Sequence, residues 1–223
     1  MDRTAHPVTS RRLLVINPNT NVAVTERVRR AAQAYVTPGT ALDVVNPKQG
    51  PFAIETPQDR AAAVPHVIEL IARAAGAYNG YILACFDDIA IAEARQALSA
   101  PVISMAEAGI RAAAAHHARF TVVTTVEAAV PTIGALVGVY GMSERCTVRA
   151  TGIGVSETAA MTEKAEIALA AAVAASQASG SGAVVLGSGA YAGRRRQLTQ
   201  AFATPFIDGL EAALNYCETA AFS

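Results

Sequence analysis

The chain has 223 residues, 52% of them hydrophobic, enough apolar material for a substantial core, which excludes a disordered tail. Its 18 basic and 18 acidic residues cancel, so no electrostatic footprint points to nucleic acid or an anionic membrane surface, and the expected partner is a small molecule. Three widely spaced cysteines, Cys85, Cys146 and Cys217, argue against a disulfide framework and for a reducing cytoplasm.

Residues 1–12 carry charge but precede only the short apolar run 13–16, so they lack the core of a secretory signal and are expected to form a loose leader. Beyond them, short β-branched runs alternate with longer helical patterns, the signature of βα units around a parallel sheet. Strands are predicted at 13–17, 42–46, 81–85, 102–105, 120–125, 147–151, 184–188 and 206–208. Helices fill the gaps: Thr56 and Pro57 offer a cap followed by Pro at the first helical position, and Ser104 with Glu107 reads as a capping box. The longest wholly apolar stretch, 167–175, is far shorter than the roughly 20 residues that span a bilayer, and it reads as a packed Ala-rich helix.

The chain divides into halves of similar plan. In each, a strand with a polar end (Asn17-Pro18-Asn19-Thr20, or Thr124-Thr125) is followed two strands later by a strand ending in Cys85 or Ser188. The expected fold is therefore α/β, with two pseudo-symmetric lobes of mainly parallel sheet flanked by helices. Residues 13–101 plus 202–223 are assigned to the first lobe and 102–201 to the second. Ligands of open α/β sheets sit beyond the carboxyl ends of the strands, so all four polar ends are expected to line one cleft between the lobes.

Cys85 is the leading candidate for chemistry. A thiol titrates at about 8.5, close to cellular pH, and the helical pattern at 89–98 begins just after it, where a helix N-terminus lowers a thiol pKa. An isolated cysteine is more often a small core residue; the matched strand end at Ser188 favours the functional reading. Cys146 and Cys217 lack such a setting and read as packing residues. Asp88 reads as a helix cap, while Asp87 is open between capping and binding substrate N–H groups. Asn17, Asn19 and Thr20 suit amide recognition or an Asx turn. Thr124 and Thr125 present hydroxyls where an anionic oxygen could bind, although paired threonines are also ordinary in strands. Arg194-Arg195-Arg196 reads as a solvated helix face or an anion contact. No histidine looks catalytic, no metal ligands cluster, and Gly187-Ser188-Gly189 lacks the dinucleotide fingerprint.

Taken in order, Ile16-Asn17-Pro18-Asn19-Thr20, Ala84-Cys85-Phe86-Asp87-Asp88, Pro101-Val102-Ile103 with Glu107-Ala108, Phe120 to Thr125, Val185-Leu186-Gly187-Ser188 and Pro205-Phe206-Ile207-Asp208-Gly209 resemble the hydantoin and allantoin racemase branch of the Asp/Glu racemase superfamily. The resemblance implies two α/β lobes, no cofactor, and two cysteines facing each other across the cleft. One thiolate takes the proton from the substrate carbon, and the other thiol returns one to the opposite face. By position Cys85 is the first of these. Ser188 stands where the second belongs, as in a substrate-trapping variant or a natural one-cysteine member. Asn17, Thr124, Thr125 and the backbone around Phe86 and Gly189 then fall where the family holds the ring carbonyls and ureide nitrogens, and Asp87 is kept beside them as a candidate substrate contact. The implied substrate is a cyclic ureide such as allantoin or a 5-substituted hydantoin, and a homo-oligomer is expected. The rivals are a one-cysteine decarboxylase of malonate-like acids, whose branch keeps the second cysteine instead, and a ureide-binding protein without catalysis.

Overall fold

In the computed structural model, which describes residues 11–220, the expected alternation becomes two four-stranded parallel sheets. The first half runs β1 (Arg12–Ile16), α1 (Val22–Tyr35), β2 (Ala41–Val45), α2 (Pro57–Ala74), β3 (Gly80–Leu83), α3 (Ile91–Ala97), β4 (Val102–Ser104) and α4 (Met105–His116). The second half repeats the plan with β5 (Phe120–Thr124), α5 (Val130–Val139), β6 (Cys146–Ala150), α6 (Val155–Ala160), α7 (Glu163–Ala178), β7 (Val184–Leu186), α8 (Arg195–Ala201), β8 (Phe206–Asp208) and α9 (Gly209–Ala220). Every predicted strand is present with its ends within two residues of expectation. Of the expected leader, residues 1–10 lie outside the described residues, and Arg12 already belongs to β1.

The sheets have the same strand order, β2-β1-β3-β4 and β6-β5-β7-β8. Their central strands are buried on both faces, which is why they read as continuous apolar runs. Leu13, Val15, Ile82, Val122 and Val185 face one shared inner core. On the outer faces, Leu14, Ile16, Tyr81 and Leu83 meet Val67 and Ile71 of α2, and Val123, Val184 and Leu186 meet Leu169 and Val173 of α7. The 167–175 stretch lies within α7, and among the described residues no helix is long and apolar enough to cross a membrane.

The strand pairing corrects the expected lobe boundaries. β4 pairs with β3, with Leu83 opposite Ser104, and completes the first sheet rather than opening the second. β8 pairs with β7, with Leu186 opposite Asp208, and completes the second sheet rather than returning to the first. The short α3 and α8 return the chain to the sheet it has just left, as compact right-handed crossovers do. The helices that follow change sides. α4 presses on β7, where a Cβ added to Gly109 would lie 3.0 Å from Val185 Cγ1; α9 presses on β3, where a Cβ added to Gly80 would lie 3.0 Å from Cys217 Cβ. The expected return of the C-terminal segment thus holds for α9 but not for β8. Glu218 fastens α9 to the first lobe by accepting from the Thr37 N–H (3.0 Å), the Thr37 hydroxyl (2.8 Å) and the Thr40 hydroxyl (2.7 Å).

Candidate active site

The strand order puts β1 beside β3 and β5 beside β7 at the point where each sheet changes its direction of growth, and ligands bind beyond the carboxyl ends of strands at such a point. Ile16 pairs with Leu83, and Val123 pairs with Leu186. Cys85 and Ser188 each follow the paired leucine by two residues, so they occupy equivalent positions in the two sheets. A Cβ on Gly187 would lie 2.6 Å from Val122 Cγ1 and 2.9 Å from the Val123 oxygen, so only glycine lets this strand end run so close to β5. A Cβ on Gly189 would lie 3.1 Å from the Ala84 oxygen, which shows the two strand-end turns meeting between the lobes. Cys85, Phe86, Asp87, Thr125, Ser188 and Gly189 all line the cavity above that meeting point, as does Thr124.

Cys85 does not sit at a helix N-terminus. The chain takes a turn from 84 to 90, with Ile89 buried, and α3 starts only at Ile91, after Ala90 in a left-handed conformation (φ 57°). Burial pushes the Cys85 thiol up, and the Asp87 carboxylate adds to the rise; the Arg60 guanidinium and the N–H groups of Asp87 and Phe86 pull against it. The shift runs opposite to the lowered pKa expected from sequence. Asp87 is held by Arg60, whose Nε donates to both carboxylate oxygens at 3.0 and 2.8 Å. Asp88 is not a cap: it accepts from Ser104 Oγ at 2.5 Å and from the Tyr140 hydroxyl of the opposite lobe. Ser104 does cap α4 through the Glu107 N–H (3.0 Å), but the Glu107 carboxylate turns to Arg95 and Arg111 instead of closing a capping box.

Ser188 is buried, and its Oγ accepts from the Ala190 N–H at 3.2 Å, capping a short 3-10 turn (Gly189–Tyr191). Among the described residues no side chain hydrogen-bonds to this hydroxyl. The Thr124 hydroxyl donates to the Gly187 oxygen (3.0 Å) and fixes the turn ahead of Ser188. The Thr125 hydroxyl has no partner among the described residues, although the residue is only 3% exposed, and it lines the cavity. Asn17 is not among the residues that line the cavity. It is fully buried, and its amide donates to Asn19 Oδ1 and to Thr25 Oγ1, both at 2.9 Å. Asn19 Oδ1 also accepts from the Asn21 N–H (3.0 Å), its NH2 has no partner among the described residues, and the residue lines the cavity.

One wall is missing from the sequence reading. Glu55, Thr56 and Arg60, from the segment joining β2 to α2 and the first turn of α2, line the cavity, as do Thr132 and Val155 from the second lobe. Glu55 Oε1 accepts from the Val155 N–H at 2.7 Å and straps the two lobes together over the cleft. The expected cap at Thr56 is present, with Asp59 closing the capping box, but that motif carried no hint that the same segment faces the site. Arg194 is no solvated residue: it is 3% exposed and holds Glu166 through two bonds at 2.7 and 2.5 Å, while Arg195 pairs with Glu211.

Duplicated α/β halves thus bring two matching strand ends, one carrying a thiol and the other a hydroxyl, to one cavity. Residues 13–217 match the Asp/Glu/Hydantoin racemase family, and the chain belongs to it as an enzyme of the isomerase class. It is 34% identical over 216 residues to the hydantoin racemase of Paenarthrobacter aurescens, covering 93% of this chain and 90% of that one. Allantoin racemase from Klebsiella pneumoniae has a similar structure, with a TM-score of 0.86 at 34% identity over 94% of this chain and 87% of that chain. Allantoin racemase from Pseudomonas fluorescens superposes with a TM-score of 0.88 at 28% identity, over 93% and 89% of the two chains.

Proposed function

We propose that this enzyme acts without a cofactor on a five-membered cyclic ureide, allantoin or a 5-substituted hydantoin, by proton transfer at the ring carbon beside a carbonyl. Cys85 is the base on one face. Its thiolate takes the ring proton; the electron pair left on carbon moves onto the neighbouring carbonyl oxygen, and the Asn19 amide and the Thr125 hydroxyl, which line the same cavity, are the donors we assign to that oxygen. Ser188 holds the opposite face, where inversion needs a second proton carrier. An unactivated alcohol is a poor one, so racemisation by this chain is impaired while exchange at the Cys85 face persists. The observation that carries this reading is the equivalence of Cys85 and Ser188 in the registers of the two sheets.

Each pure enantiomer incubated in heavy water and followed by proton NMR tests it, with a Cys85→Ala protein subtracting the spontaneous reaction. One enantiomer is expected to exchange its ring proton without inversion, and its mirror image to exchange far more slowly. Equal exchange from both would mean that another base serves the Ser188 face. No exchange above the control would remove Cys85 as the base.

A further inference from the structure

Resting on that assignment, we infer that Arg60 and Glu55 select the group carried on the ring carbon, and that they fit a ureido group, –NH–CO–NH2, rather than an apolar or anionic one. Both residues line the cavity together with Cys85. Arg60 spends only its Nε on Asp87; its two terminal nitrogens have no partner among the described residues, and they carry four N–H donors. Glu55 spends only Oε1 on the Val155 N–H, so Oε2 remains a free acceptor. The hydroxyl of Thr132, on the opposite wall, is likewise without a partner among the described residues.

One wall of the cleft therefore offers a charged donor and a charged acceptor five positions apart in sequence, at either end of a short capped turn. A ureido group supplies the complement of both: its oxygen accepts from the guanidinium edge, and its N–H groups donate to Oε2. An alkyl group of similar size would strip water from both charged groups and return nothing, which is the arrangement by which a polar site rejects an analogue lacking hydrogen bonds. A carboxylate would gain Arg60 but face Glu55 and Asp87, so the wall carries two negative groups against one positive. A neutral group with both donors and acceptors adds no charge to that wall and serves both free edges.

The test compares Cys85-dependent proton exchange in heavy water for three rings: allantoin, which bears the ureido group, 5-isobutylhydantoin and hydantoin-5-acetate. The unaltered enzyme is expected to favour allantoin over each of the others by at least about tenfold in kcat/KM, a modest part of the discrimination a fully buried polar site reaches. Arg60→Lys keeps the charge beside Asp87 and Cys85 but loses the forked edge. It should lower allantoin kcat/KM about tenfold through KM and lower that of 5-isobutylhydantoin less, so that the ratio between the two rings narrows. Arg60→Leu should remove the preference for allantoin altogether. Equal kcat/KM for the three rings in the unaltered enzyme, or an unchanged ratio in both variants, overturns the selection by Arg60 while leaving the proton-transfer assignment intact. Absence of exchange from every ring overturns both together.

Discussion

Replacing Ser188 by cysteine is the most direct perturbation of this cleft. The Ser188 hydroxyl accepts one backbone N–H and has no activating side chain among the described residues. A thiol gives up its proton far more readily than an alcohol even where burial raises it, and a positioned general acid or base is worth about 10²–10⁴-fold in rate. The gain should fall on inversion and on exchange from the slow enantiomer, because Cys85 already serves the other face. The fold should tolerate the change. Weakening a turn cap costs about 1 kcal/mol, small against the roughly 5–15 kcal/mol by which domains are stable. Circular dichroism of a single enantiomer of allantoin or of a 5-substituted hydantoin follows the reaction. The Ser188→Cys enzyme should bring the signal to zero at least about 100-fold faster than the parent, at the low end of that range, and Cys85→Ala in the same background should abolish the gain. A folded Ser188→Cys enzyme that leaves every ring optically unchanged would refute the two-face reasoning.

Because burial raises the Cys85 thiol, its alkylation by iodoacetamide should be slow at pH 7 and climb through the alkaline range, and bound ring should protect it; peptide mapping across pH reads this, and a Cys85 rate already at its plateau at pH 7 would contradict the assignment. Asn17→Ala should leave the fold standing but let Asn19 swing, lowering exchange kcat by up to about 100-fold, and loss of thermal stability without loss of rate would show that Asn17 is only structural. Although burial works against it, the bonds from Thr37 and Thr40 hold the Glu218 carboxyl below its usual range. It thus contributes stability that is present above about pH 4.5 and lost as pH falls through its folded value. Glu218→Gln should cost about 1–3 kcal/mol at pH 7 and flatten the acid limb of stability measured by urea titration, whereas an unchanged acid limb would remove Glu218 from the account.

The strands were legible because each central one is apolar on both faces, and the two turns at Cys85 and Ser188 were legible because a small nucleophilic residue ends an apolar run in each half. The lobe boundary was not. Nothing in the runs at β4 and β8 says which sheet they join; that follows from how far the short α3 and α8 can carry the chain. Asn17 and Thr124 look like ligands in sequence because they are polar at strand ends, yet the pairing of Ile16 with Leu83 and of Val123 with Leu186 makes them equivalent, and both turn inward to brace the neighbouring turn. The helix expected directly after Cys85 failed because Ile89, apolar and in helical phase, is used to plug the outer core instead. Arg60 was overlooked because a cation in the first turn of an exposed helix is unremarkable until the fold brings it to Asp87.

The exchange of α4 and α9 between the sheets has a consequence for how the polypeptide reaches this shape. Part of the inner face of β3 and β4, laid down early in synthesis, is covered by α9, residues 209–220, from the far end of the chain. The nascent first half therefore carries apolar surface that nothing nearby in sequence can cover, and most of the contacts that finish it are of long range, which slows folding and lengthens exposure to aggregation. Neither half is a self-sufficient unit. Cutting the chain between α4 and β5 would separate each sheet from a helix that completes its core, so the two halves should be soluble only when produced together, and the intact protein should unfold as one cooperative body.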